Sequence, residues 1–345
     1  MINRTPFLFI LARYGSLLIS FSLSLLYSSQ LGLLNRAIAG FVFLVGGVLV
    51  VSLTQGLGIK LLQLHSQRKL DFKIARLYFY SSSILLLLGL AIFNSLVAFF
   101  LNSLNHSKIS IYVIVSFYFA CAFFGQMFYD LLLRTAKYSE LAHFLLFQTL
   151  LSPTLYLLFQ YSLGMSVFVS IYSSLGFAFL LSIIFVIVKN HELRKSIALG
   201  LASYRVPNSY SLHRNSFLID FIKSFYLVLV ERLDKFLFLF TISLETFSKV
   251  LVAQSFLFFF KPAQEIWINS SMKTRGVSGS QRFTLVKVIF ILLFGLIALV
   301  IAYFLLVQKL LGSNWLLPIP VFATLFFLEM IKLFILGKLT QRMVS

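Results

Sequence analysis

Acid, cysteine and proline are scarce in this chain. Of 345 residues, 10 are Asp or Glu against 29 Lys or Arg, one is Cys and six are Pro. A single cysteine excludes a disulfide scaffold and any cysteine-rich metal site. Cys121 stands in an apolar run and reads as packing. His65, His106, His143, His191 and His213 show no H-x-x-x-H or H-E-x-x-H spacing, so no metal centre is expected. A G-x-S-x-G turn and a phosphate-cradling glycine loop are missing as well. Charged residues make up 11% and apolar ones 60%. A soluble domain is nearer a quarter charged and half apolar. The long apolar runs instead indicate an all-α, multi-span membrane protein.

The net charge of +19 would suit nucleic acid if it were massed on a soluble domain. Here the basic residues lie between apolar runs, which reads as topology. No nucleic-acid partner is expected. Windows of about 20 apolar residues give ten spans, at 8–28, 37–58, 77–101, 109–133, 141–163, 165–188, 217–243, 246–268, 283–307 and 315–337. With a cytoplasmic N-terminus, the outer side holds only Arg36, Lys108, Lys249 and Lys309. Lys223, Arg232 and Lys235 lie within a span, and every other Lys and Arg falls on the inner side. That asymmetry sets both termini in the cytoplasm. The longest inner connection, 189–215, contains KSIALGLASYRV, which suits a short helix along the membrane surface. It separates an N-terminal bundle of six spans, 1–188, from a C-terminal bundle of four, 216–345.

A weak repeat supports two related bundles. Residues 31–40 read LGLLNRAIAG and residues 244–253 read LETFSKVLVA. The shared pattern is L-x-x-(L/F)-(N/S)-(R/K)-x-(I/L)-x-(G/A). Both copies open an even-numbered span, so the repeat is parallel, with an axis along the membrane normal.

The seventh span is the most informative. It reads FLIDFIKSFYLVLVERLDKFLFLFTIS and carries Asp220, Lys223, Glu231, Arg232, Asp234 and Lys235. All but Arg232 fall within about 120° of helix rotation. Glu231 and Lys235 are spaced i,i+4, and Asp220 and Lys223 i,i+3, as pairs are. Glu231 lies about 21 Å along a segment of about 40 Å, near mid-membrane. A charge facing lipid there costs about 2.5–3.5 kcal/mol. The stripe is therefore expected to face a wet cavity or a paired interior. A polar translocation path and a salt-bridge network pinning two helices both satisfy this.

Other intramembrane charges are fewer. Arg13 and Arg36 either snorkel to the headgroups or point into a cavity towards an anionic group. Asp130 with Arg134, and Glu329 with Lys332, have pairing spacing. Pro153, Pro318 and Pro320 interrupt apolar runs, as in broken transport helices and in ordinary membrane helices. Outer connections are short, and those of the first bundle carry no Asp or Glu. Neither a membrane glycosyltransferase nor a lipid-linked sugar polymerase or ligase is expected, and no enzyme activity.

Two stretches carry a family resemblance. One is LGLLNRAIAGFVFLVGGVLVVSLTQGLGIKLLQ at 31–63, with its late Gly56 and Gly58. The other is ERLDKFLFLFTISLETFSKVLVAQSF at 231–256, with Asp234 and Lys235 as a D-K pair. The chain resembles the polysaccharide flippases, Wzx-like exporters of the multidrug/oligosaccharidyl-lipid/polysaccharide superfamily. The resemblance implies two helix bundles around a cationic cavity in a bacterial inner membrane. It implies export of undecaprenyl-pyrophosphate-linked oligosaccharide for O-antigen or another surface polysaccharide, by alternating access and without a cofactor. Polysaccharide assembly proteins would be partners. The implied substrate-binding cations are Arg13, Arg36, Lys223, Arg232 and Lys235, with Asp220, Glu231 and Asp234 for ion coupling or pairing. Family members have 12 or 14 helices, so a chain of ten is expected to be short by the last two. Leu244–Glu245–Thr246 also departs from the family's glycine at that junction. A cation or drug antiporter of the related extrusion class, and a non-transporting remnant, are the alternatives.

Overall fold

The computed structural model describes residues 4–66, 72–104, 109–134, 138–190, 214–257 and 297–329, with 331. These are helical almost throughout, and no strand occurs among them, in line with the all-α class. The helices are α1 (Arg4–Ser66), α2 (Phe72–Ser103), α3 (Ile109–Arg134), α4 (Tyr138–Leu157), α5 (Val167–Lys189), α6 (Arg214–Thr241) and α7 (Leu244–Leu257). α8 (Ile297–Leu310) and α9 (Ile319–Glu329) follow. Among the described residues, five helical stretches are long and apolar enough to cross a membrane: Ala12–Thr54, Ser83–Asn102, Ile109–Asp130, Tyr138–Ser162 and Val167–Lys189. The expected surface helix at 195–206 lies outside the described residues, as do 258–268, 283–296 and 332–337 of the expected later spans.

α1 is two arms, not one rod. A straight helix of 63 residues would run about 95 Å at 1.5 Å per residue, three times the hydrocarbon thickness. Gly32 breaks it with φ 70 and ψ 173, a conformation that a Cβ opposes. The break reverses the chain. The Arg36 guanidinium donates to Ser24 Oγ at 2.9 Å and to Ser28 Oγ at 3.0 Å. An uninterrupted helix would hold residues 24 and 36 about 18 Å apart, beyond an arginine's reach to a serine. Asn35 Nδ2 donates to the Leu31 carbonyl at 3.1 Å, supplying a donor where the ladder is cut.

The chain forms two compact units. One holds Met1–Ser16 with Ile38–Phe236, the other Leu17–Ala37 with Leu237–Ser345. This is a different partition from the expected bundles 1–188 and 216–345, and most of the expected connection, 191–213, is outside the described residues.

In the first unit α5 packs against α3 and α4. Small residues allow the approach: a Cβ on Gly176 would lie 2.6 Å from the Phe117 ring. Phe128, Leu132, Leu141, Phe144 and Val186 form one apolar cluster of these helices. Beside it Lys189 Nζ donates to His143 Nε2 at 2.9 Å, and Asn190 Nδ2 to Glu140 Oε1 at 2.9 Å. Leu44 and Val48 of α1 pack on Val228 of α6. Pro153 lies inside α4, where its missing N–H weakens the ladder. The helix then widens into a π turn at Leu158–Ser162. Pro320 falls in the first turn of α9, where proline is tolerated. The exposed face of α2 is largely apolar, including Ile84, Leu87, Leu88 and Phe99.

The second unit has its own core of Leu25, Val250, Phe256, Tyr303, Val307, Trp315, Phe322 and Leu325. Tyr303 is its hub. It stacks on Phe322 at 4.4 Å and meets Phe256 edge-on at 5.2 Å. Its hydroxyl accepts from the Leu317 N–H at 2.9 Å. Ser243 caps α7: its Oγ accepts from the Thr246 N–H at 3.2 Å.

Candidate functional site

α6 sorts its side chains sharply around its axis. Tyr226, Leu233, Leu237 and Phe240 are exposed, and all are apolar or aromatic. Val228, Lys235 and Leu239 are buried on the opposite side. Glu231, Arg232 and Asp234 are half-buried between. The charges thus avoid the exposed apolar face, as their cost in hydrocarbon requires. Lys235 is only 7% exposed, and Glu231, Asp234 and Lys235 each have partners. The side chains of Asp220 and Lys223 lie outside the described residues, though the backbone there is helical.

Arg232 is the exception. Among the described residues it makes no hydrogen bond or ion pair. The Tyr118 ring is held by Phe43 at 5.5 Å and Tyr172 at 5.3 Å. The Tyr172 hydroxyl is itself committed to the Ala39 carbonyl at 3.1 Å.

A second polar group sits in the other unit. Arg36 is 8% exposed, so it does not snorkel. Its guanidinium rests on Ser24 and Ser28, and Ser24 Oγ bonds Ser255 Oγ of α7 at 3.2 Å. The Ser28 hydroxyl also donates to the Ser24 carbonyl at 2.7 Å. Ser248, buried one turn into α7, donates to the Leu33 carbonyl beside the Gly32 break. The repeat copies 31–40 and 244–253 therefore touch at this hydrogen bond. Ser24, Ser28 and Ser255 thus gather at one buried cation, an arrangement that holds helices together.

No protein-family model matches this sequence, and no curated protein or solved structure matches it. The chemistry of these groups has to come from the residues themselves. Of the predicted site residues, Arg232 and Lys235 share one unit and Arg36 is in the other. Arg13 is half-buried in α1 and has a partner. Asp130 is buried and accepts from Gln126 Nε2 at 3.0 Å. The side chain of its expected partner Arg134 lies outside the described residues, as does Lys332. Sequence reading missed Ser24, Ser28, Ser255 and Tyr118. The i,i+4 spacing of Ser24 and Ser28 is the one signal that could have found the first two; nothing singles out Tyr118 among 15 tyrosines.

Proposed function

We propose that the chain is a multi-span transporter of a bacterial inner membrane that flips undecaprenyl-pyrophosphate-linked oligosaccharide to the outer face. On this reading it has ten spans with both termini cytoplasmic. It alternately exposes its substrate to the two sides, and its basic side chains meet the anionic pyrophosphate. The observation that carries the reading is α6, a helix that keeps Arg232 and Lys235 turned away from its exposed apolar face. Intramembrane cations are expensive to retain and serve a pathway or a ligand. At about 4 Å and an effective dielectric near 20, one cation and one phosphate charge attract by about 4 kcal/mol. The resemblance of 31–63 and 231–256 to polysaccharide flippases supplies the substrate class.

The test is the sidedness of undecaprenyl-linked glycan in the native strain, with and without the gene. Deletion should strand glycan on the cytoplasmic face, and the intact gene should restore export. An unchanged distribution in a strain without a redundant flippase refutes flipping and favours a cation or drug antiporter.

A further inference from the structure

We infer that His143 is a pH-sensitive switch on a polar latch that ties the end of α5 to the start of α4. The inference goes beyond the transport reading and holds for any substrate. The latch lies at the ends of the two helices away from the Gly164 turn. Two hydrogen bonds make it: Lys189 Nζ donates to His143 Nε2 and Asn190 Nδ2 to Glu140 Oε1, each at 2.9 Å. The other imidazole nitrogen, Nδ1, meets the Ser139 carbonyl at 2.7 Å. A carbonyl only accepts, so Nδ1 carries the proton and Nε2 turns its lone pair to the ammonium. Both ring nitrogens are committed, and only the neutral imidazole satisfies both contacts. One turn further along the pair of helices, Phe147 stacks on Phe185 at 4.4 Å, and Lys189 Nζ lies 5.9 Å from the centre of the Phe185 ring. That apolar contact does not titrate, so the switch acts on the last turn alone.

A proton and Lys189 compete for one lone pair. Once protonated, Nε2 is a donor with nothing to accept with, and the imidazolium faces a second cation. Lys189 is exposed, so its ammonium can leave for water. Glu140 stands three residues before His143, on the same face of α4, and offers the new N–H an acceptor. Its carboxylate already holds Asn190, so turning to the imidazolium weakens the second bond of the latch as well. Among the described residues, the other titratable groups that the packed helices bring to this end are Tyr138 of α4 and Tyr129 of α3, which packs on the same apolar cluster as Phe144. Asp130 is turned about 160° around α3 from Phe128, the residue that meets Phe144 at 5.6 Å. The Arg134 side chain lies outside the described residues. Imidazoles change charge between about pH 5 and 8, so the latch is closed above that interval and open below it. With the termini oriented as proposed, this end faces the cytoplasm, and the latch responds to cytoplasmic acidification.

The experiment uses the full chain in lipid nanodiscs. Amide exchange is followed by mass spectrometry at about pH 8 and about pH 5, each rate divided by the intrinsic rate at that pH. Exchange in the last turn of α5, 186–190, should be about two- to tenfold faster at the lower pH, the size of one net hydrogen bond. Raising the pH should restore protection, and 180–184 should not respond. Nitrogen spectra of histidine-labelled protein at the higher pH should show His143 as the Nδ1–H tautomer, a signature that packing alone does not set. His143→Gln keeps an acceptor for Lys189 but takes up no proton, so its last turn should stay protected at both pH values. Lys189→Met has no ammonium to expel, and its last turn should exchange quickly at both. An acid response in either variant equal to that of the unmodified chain, no response in the unmodified chain, or the Nε2–H tautomer at His143 overturns the switch. If His143→Gln does not fold, Lys189→Met and the tautomer still decide. Glycan sidedness in the deletion strain is measured separately, so flipping and the switch fail independently.

Discussion

Alanine at Gly32 and alanine at Gly15 should act in opposite directions, though both positions lie in α1. In neither case would the added Cβ meet another atom within 4 Å, so packing cannot distinguish them. The backbone does. Gly32 sits at φ 70 and ψ 173, a region costing a side-chain-bearing residue about 1–3 kcal/mol. Gly15 lies in a regular stretch of the same helix, where alanine gains about 0.5–1 kcal/mol over glycine. The pair should therefore be separated by about 1.5–4 kcal/mol. The strained variant has one escape, which is to continue the helix through position 32. That would carry Arg36 away from Ser24 and Ser28 and leave a buried guanidinium without those bonds, so the penalty persists. The assay is equilibrium unfolding in mixed micelles, followed by helical circular dichroism, for Gly15→Ala, Gly32→Ala and the unmodified chain. If both alanines stabilise, or both leave the midpoint unchanged, the reversal at Gly32 is wrong.

Two further substitutions probe packing in each unit. Gly176→Ala would place a methyl 2.6 Å from the Phe117 ring and should cost about 1–3 kcal/mol, as overpacking does, visible as a lower thermal midpoint. Tyr303→Phe keeps the stacking on Phe322 but leaves the buried Leu317 N–H without its acceptor. It should cost about 1–3 kcal/mol and speed amide exchange at 315–317, while exchange in α3 to α5 stays unchanged.

Much of the helical framework is legible in the apolar windows, because a membrane span must be both long and apolar. The windows at 109–133 and 165–188 meet α3 and α5 within two residues at either end. The turn at Gly164, φ 64, falls between the expected spans 141–163 and 165–188. The first turn was harder. Ser29–Asn35 reads as a seven-residue connection, yet the helix runs to Leu31 and resumes at Leu33. One glycine does the work expected of a loop. The charges of α6 stand out in sequence because charge is rare there. Their partners do not. Arg36 is met by serines, which are common in membrane helices and follow no spacing rule across chain segments, and Ser255 arrives through tertiary packing alone.

The placement of Arg36 has a consequence for how the protein is made. Ser24 and Ser28 belong to the same hairpin as the guanidinium, whereas Ser255 lies 231 residues downstream of Ser24. As the chain emerges from the ribosome, the hairpin is finished long before α7 exists. Its cation already has two hydroxyl oxygens in place of water, from neighbours synthesised in the same few seconds. The insertion machinery thus receives a charge that is solvated by its own segment, and the later helices dock onto a polar surface that is set in advance. Serine at 24 and 28 matters for biogenesis in this way.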